Sequence, residues 1–177
     1  MLGLAGKFFP AGCQNSYTGV PREKSAGVII FRKEGGKIYY LLLHYPGINR
    51  KGGHWEFTKG HIEKDETEEA AARRETMEET GISDIKILPG FKEYIKYFFR
   101  QNIKKEPISP KYKNSKRASW IFKLVVFFVA ETQSKDVKLS PEHIEFAWLP
   151  FEDAVKKTTY KNSKELLKKV NNFLSNK

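Results

Sequence analysis

Apolar residues fall along the chain in two rhythms. SAGVIIFR (25–32) and IYYLLLHY (38–45) are short, dense runs of β-branched, aromatic and leucine residues. Between them KEGGK (33–37) is polar and carries Gly-Gly, so the pair predicts a β-hairpin. PGINRKGGH (46–54) follows as a glycine-rich loop, and HWEFTKGH (54–61) leads out of it. GFKEYIKYFF (90–99) and WIFKLVVFFVAE (120–131) predict two longer strands, and FAWL (146–149) a short one. The helical rhythm occurs three times. Residues 66–80 read as a helix, with Asp65 and Glu68 at capping-box spacing, three alanines inside and Gly81 to end it. Pro150 suits the first turn of a second helix, over FEDAVKKT (151–158). The third spans about 163–174, with Leu166, Val170, Phe173 and Leu174 on one face. Strands mixed with three helices predict one α/β or α+β domain over residues 23–177, its helices packed on a mixed sheet.

Two stretches follow neither rhythm. Residues 1–22 contain Pro10, Gly12, Gly19 and Pro21 and read as a loose extension. Its start, MLGLAGKFFPAGC, bears a loose likeness to a secretion signal, but it lacks a basic beginning and Lys7 interrupts the apolar run. RQNIKKEPISPKYKNSKRAS (100–119) is polar, basic and broken by Pro107 and Pro110, and reads as a long loop inserted between two strands.

Composition narrows the class. With 40% hydrophobic and 14% aromatic residues the 177-residue chain can build a core, which excludes disorder throughout. No apolar run approaches the ~18 residues of a membrane span. Cys13 is the single cysteine, so no internal disulfide forms and a reducing, cytoplasmic setting is expected. No long apolar helix stripe calls for a partner, so a monomer is expected. The net charge is +11. Such a field attracts polyanions such as nucleotide phosphates or RNA, and it equally serves solubility.

Against this basic background GHIEKDETEEAAARRETMEETGI (60–82) gathers eight of the 21 carboxylates. At about 100° per residue, Glu75, Glu78 and Glu79 share one helix face, joined by Glu68 and the small Ala71 and Ala72. Like charges at i, i+3 and i+4 destabilise a bare helix by a few tenths of a kcal/mol per pair. A divalent cation reverses that sign, because hard cations take carboxylate oxygens. A solvated acidic face is the plain alternative.

The spacing goes further. Gly60, five residues, Glu66, seven residues, then Arg74-Glu75-Thr76-Met77-Glu78-Glu79-Thr80-Gly81-Ile82 resembles the Nudix box. Every fixed position matches; Thr76 departs from the bulky apolar residue usual after the first glutamate. The resemblance implies a mixed sheet between helices, with the box as loop–helix–loop. It implies Mg²⁺-dependent hydrolysis of a nucleoside polyphosphate, with Mn²⁺ as a substitute. It carries metal ligation onto Glu75, Glu78, Glu79 and the Gly60 carbonyl, and makes Glu66 and Arg74 a brace between loop and helix.

SAGVIIFR, LLLHY, HWEFTKGH, GFKEYIKYFFR, KLVVFFVAE and LSPEHIEFAWLPFEDA extend the likeness over about residues 24–158, toward the asymmetric diadenosine tetraphosphate hydrolases. That branch often has Arg-Glu-Thr in its box, which accounts for Thr76. It usually has Pro-Lys-Gly where this chain has Thr58-Lys59-Gly60, which predicts a less rigid loop. The resemblance points Lys59 and Lys123 at phosphates and stacks Tyr97 on a purine. Tyr97 also reads as an ordinary strand aromatic, and Lys123 as a solvent-facing lysine. Glu142 is the first candidate for a further ligand or general base, with Glu145 the alternative. His143 contacts phosphate or lies on the surface. Trp55 is expected on the pocket wall and Trp148 in the core. His44 and His54 flank the site without a catalytic role, and His61 holds the loop.

Three other functions compete. Trimming of an RNA 5′-triphosphate end fits the basic charge and the 100–119 loop. ADP-ribose hydrolysis fits less well, because residues 91–106 lack the proline typical of that branch. A non-catalytic nucleotide-binding module would not need all three helix glutamates.

Overall fold

The computed structural model describes residues 22–47, 52–102 and 118–176. At its centre β1 (Arg22–Glu34) runs parallel to β7 (Ala118–Glu131), in register from Arg22↔Phe122 to Phe31↔Glu131. Ala26, Val28 and Ile30 of β1 and Val126, Phe128 and Ala130 of β7 point to one face. Ile29, Phe31, Val125, Phe127 and Val129 point to the other. Both faces are covered, which is why these strands read as near-continuous apolar runs rather than alternating ones.

The hairpin partner β2 (Lys37–Tyr45) pairs with the end of β1, from Glu34↔Lys37 to Phe31↔Tyr40. The two strands then part. HWEFTKGH fills the fork: β3 (His54–Glu56) pairs with β2, and β4 (Thr58–His61) pairs with the start of β1. Phe57 sits at their junction with no exposed surface. The short β5 (Lys86–Ile87) and the long β6 (Glu93–Asn102) pair with β7, and β8 (Glu145–Pro150) with β2.

Helix α1 (Glu68–Thr80) lays Ala71 and Ala72 on one face of this eight-stranded sheet. Helices α2 (Phe151–Lys157) and α3 (Lys161–Ser175) cover the other with Ala154, Leu166, Leu167 and Val170. The expected mixed sheet between helices is the architecture found. Among the described residues no helix is long and apolar enough to cross a membrane.

Several local expectations change. The cap of α1 is Thr67, whose hydroxyl accepts from the Ala70 N–H at 3.1 Å. Asp65 instead turns the chain before it, with φ +63°. Gly81 ends α1 in the left-handed region at φ +71°, as its position predicts. Pro150 is the residue before α2, not in its first turn, and closes β8. HWEFTKGH forms two strands, and β5 gave no sequence signal because two residues are too few for a period. Arg22 already belongs to β1; the rest of the expected extension, 1–21, lies outside the described residues. The expected loop 100–119 loses both ends to β6 and β7, and 103–117 lies outside the described residues.

Candidate active site

The carboxylates of α1 meet β4 because the fork brings Gly60 directly under the helix. A Cβ on Gly60 would lie 1.9 Å from the Glu75 carboxyl carbon, so only glycine lets Glu75 settle there. Arg74 organises the rest. Its guanidinium grips Glu66 with two parallel bonds, Nε to Oε1 and Nη2 to Oε2, both 3.0 Å. Nη2 also donates to the His61 carbonyl at 2.8 Å, and Glu66 accepts from the Glu63 N–H at 3.0 Å. This is the brace the resemblance implies, and the His61 backbone is what holds the loop. The Arg74 Nη1 then bridges Glu75 at 2.8 Å and Glu78 at 3.0 Å. With those bonds its pKa rises further above the ordinary arginine range.

Glu79 faces inward and is buried. It accepts from the Lys59 N–H at 3.1 Å and from the Tyr45 hydroxyl at 3.2 Å. His143 Nε2 stands 3.5 Å from Glu79 Oε1 without forming a hydrogen bond, while Ser140 Oγ bonds its Nδ1 at 2.9 Å. Burial pushes the Glu79 carboxyl up to about 8, against the pull of Lys59 and the Tyr45 hydroxyl. Burial also raises Glu75. It lowers the His143 pKa to about 4, so the ring is neutral at pH 7. Three carboxylates from one helix, two of them spanned by the Arg74 Nη1, carry the chemistry to take up further positive charge.

Thr58 and Thr76 are the two departures from the family pattern, and they meet. Both are buried, with hydroxyls 3.4 Å apart, and Thr58 donates to the Val28 carbonyl at 3.1 Å. Where the family usually has proline, Thr58 is thus tied into β4 by its side chain and by pairing with Val28.

On the opposite side of β4 lies a cavity of about 510 Å³. Lys59, Lys123 and Tyr97 line it with His54, Phe99 and Tyr160, over a floor that includes Ile95, Val125 and Phe127. Burial lowers the Lys59 pKa, and its ammonium lies 4.2 Å over the Tyr45 ring. Lys123 stands opposite Glu23 in register, 3.4 Å from its carboxylate. Burial lifts the Tyr97 hydroxyl to about 12.

Trp55 is not on that wall. Its ring stacks on His44 at 4.7 Å, with Lys157 over its face. Trp148 is half-buried and packs on the α1-side core, where its indole N–H donates to the Lys135 carbonyl. Glu142 is exposed in the turn before His143, and Glu145 pairs with His44 at the start of β8. The structure thus gathers Glu75, Glu78, Glu79 and Gly60 on one side of β4 and Lys59, Tyr97 and Lys123 on the other. Among the described residues no three acidic, histidine or cysteine side chains converge as a preformed metal cage. The sequence reading missed Tyr45, Glu56, Phe99 and Tyr160. For Glu56 a signal was available: a lone charge between Trp55 and Phe57.

Residues 21–170 match the NUDIX domain family. The chain is a Nudix hydrolase. It is 36% identical over 154 residues to the bis(5′-nucleosyl)-tetraphosphatase [asymmetrical] of Caenorhabditis elegans, covering 86% of this chain and 96% of that protein. The mouse protein of the same name is 31% identical over 162 residues, with 85% and 95% covered. An RNA pyrophosphohydrolase of Caulobacter vibrioides is 30% identical over 127 residues, covering 70% of this chain and 68% of that one. The crystal structure of a C. elegans Ap4A hydrolase binary complex superposes with a TM-score of 0.68 at 32% identity, over 87% of this chain and 98% of that one. Nudix hydrolases generally use divalent metal ions.

Proposed function

We propose that this Nudix hydrolase cuts a dinucleoside tetraphosphate off-centre, diadenosine tetraphosphate giving ATP and AMP. One observation carries the reading. Lys59 joins the two halves of the site: its N–H donates to Glu79, and its side chain lines the cavity with Lys123 and Tyr97. A polyphosphate anchored by both lysines would lie beside the carboxylates, with a base against the aromatic wall.

Glu75, Glu78, Glu79 and the Gly60 carbonyl would hold Mg²⁺, with Mn²⁺ as a substitute and Glu142 as an outer candidate ligand. Such an ion neutralises phosphate oxygens and acidifies water. Lys59 and Lys123 bind the polyanion and offset its charge. His143, neutral at pH 7, offers a hydrogen-bond donor or acceptor rather than a charge. Tyr97 packs on a base. Trp55, behind the cavity, supports β3. A carboxylate of the helix set, or Glu142, takes the proton of the attacking water. Water oxygen joins the distal phosphorus, the bridging P–O bond breaks, and the electron pair leaves with the ATP half.

A second reading keeps the chemistry and changes the substrate to an RNA 5′-triphosphate end. The likeness to RNA pyrophosphohydrolases and the +11 charge favour it. A monomer in the cytoplasm suits either. The test offers diadenosine tetraphosphate, 5′-triphosphate RNA and ADP-ribose side by side with Mg²⁺ in ¹⁸O-labelled water. Equal ATP and AMP at the highest rate, with label in AMP alone, is the expected result. Label in ATP rejects attack at the distal phosphorus, preference for RNA favours the second reading, and no turnover leaves a binding module.

A further inference from the structure

The cavity holds one acidic group that the hydrolytic reading does not use. Glu56, at the end of β3, is 5% exposed and lines the cavity. Its Oε2 accepts from Ser163 Oγ at 2.7 Å, and its Oε1 accepts from the Phe57 N–H at 3.2 Å. Ser163 is the third residue of α3 and is itself buried. The residue before α3, Tyr160, forms no side-chain cap. Glu56 therefore sits against the first turn of a helix whose N–H groups favour negative charge. Burial holds its pKa above the ordinary carboxylate range, partly offset by the Lys59 charge, the Ser163 hydroxyl and the Phe57 amide.

An ionised carboxylate accepts hydrogen bonds and donates none. Each oxygen already holds one donor and keeps room for a second. The rings that line the same cavity, Tyr97, Phe99 and Tyr160, offer apolar faces of the kind a nucleobase stacks on. Of the purines, guanine presents two N–H donors side by side, from N1 and the 2-amino group, which match two carboxylate oxygens. Adenine presents one amino N–H beside the lone pair of N1, and that lone pair faces an oxygen lone pair.

We propose that Glu56 reads the base in this cavity and selects guanine over adenine. The inference rests on the reading of the cavity as the nucleotide pocket. It narrows the substrate to a dinucleoside tetraphosphate whose pocket-bound end is guanosine.

The test compares kcat/KM of the full chain for diguanosine and diadenosine tetraphosphate, in the wild type and in Glu56→Gln. The guanine substrate should lead by roughly ten- to a hundredfold in the wild type, the range of one well-made bidentate pair. Glutamine offers one acceptor and one donor, the complement of adenine, so the ratio should reverse in the variant. Circular dichroism and the thermal midpoint establish that the variant is folded. Equal rates on both substrates in the wild type overturn the assignment and leave the hydrolase reading standing. A wild-type preference that Glu56→Gln does not move also overturns it. If neither substrate is cut, the hydrolase reading fails, and calorimetric titration with GTP and ATP decides the inference alone: tighter GTP binding sustains it, equal binding sinks it.

Discussion

Glu79 gathers more of the site's physics than any other residue. It is buried, bonded to Tyr45 and the Lys59 amide, and held beside His143. Glu79→Gln denies a bound cation the charge of this carboxyl with little change in shape, and an amide oxygen in the place of Oε2 still accepts from both donors. Turnover should fall by ~100-fold or more with the circular dichroism spectrum unchanged; near-normal turnover would reject Glu79 as a ligand. Gly60 tests the same site sterically. In Gly60→Ala the new methyl meets the Glu75 carboxylate, which has to leave its place under Arg74. A displacement of this size should lower kcat on the order of 100-fold, read in steady-state kinetics. Both residues were legible in the chain because the box spacing names them. Tyr45 was not, since nothing local distinguishes one tyrosine of a strand from another.

At the scale of elements, β3 and β4 make the site. They wedge into the fork between β1 and β2, and so put Gly60 under α1 while Lys59 reaches the cavity. Periodicity could not announce two strands of three and four residues. Helix α1 was legible in extent, yet its cap was misassigned, because Asp65 and Thr67 are both good capping residues and only backbone geometry chooses between them. A second clamp ties the segment after α1 to the end of β7. Asp84 accepts from the Thr132 and Ser134 hydroxyls at 2.7 and 2.9 Å and from the Gln133 N–H at 3.1 Å. Burial raises its pKa, but those hydrogen bonds win and hold it below the ordinary aspartate range. A carboxylate depressed in the folded state contributes stability above its unfolded pKa and loses it as pH falls through the folded one. Chemical denaturation should therefore find wild type more stable than Asp84→Asn at pH 7, with the gap closing as the pH falls through and below the ordinary aspartate range. A gap that stays constant with pH would remove the charge from the explanation.

The whole molecule separates two jobs across one sheet. Carboxylates and α1 lie on one side of β4, and the lysines and aromatic wall open toward α3. Along the chain the charge is uneven too: outside residues 61–80 it carries 29 basic and 13 acidic residues. The acidic helix is a local exception where positive charge is to be brought in. Removal of divalent ions with a chelator should abolish turnover, and Mg²⁺ should restore it, followed by product chromatography. Activity that survives chelation would mean that Arg74 alone balances the glutamates.

The sequence by itself determined the fold class, the glutamate set and the Arg74–Glu66 brace. The fold class rests on the order of strand and helix patterns, the shared face of the glutamates on short spacings along one helix, where chain geometry leaves little freedom, and the brace on the resemblance those spacings carry. Only the tertiary structure decided the cavity. Its walls come from β3, β4, β6, β7 and the start of α3, so residues a hundred positions apart must first be paired before they can face one another. Glu56 and Ser163 are such a pair, and so are Thr58 and Thr76 on a smaller scale: each partner looks unremarked or out of pattern alone, and burial in company gives both their meaning.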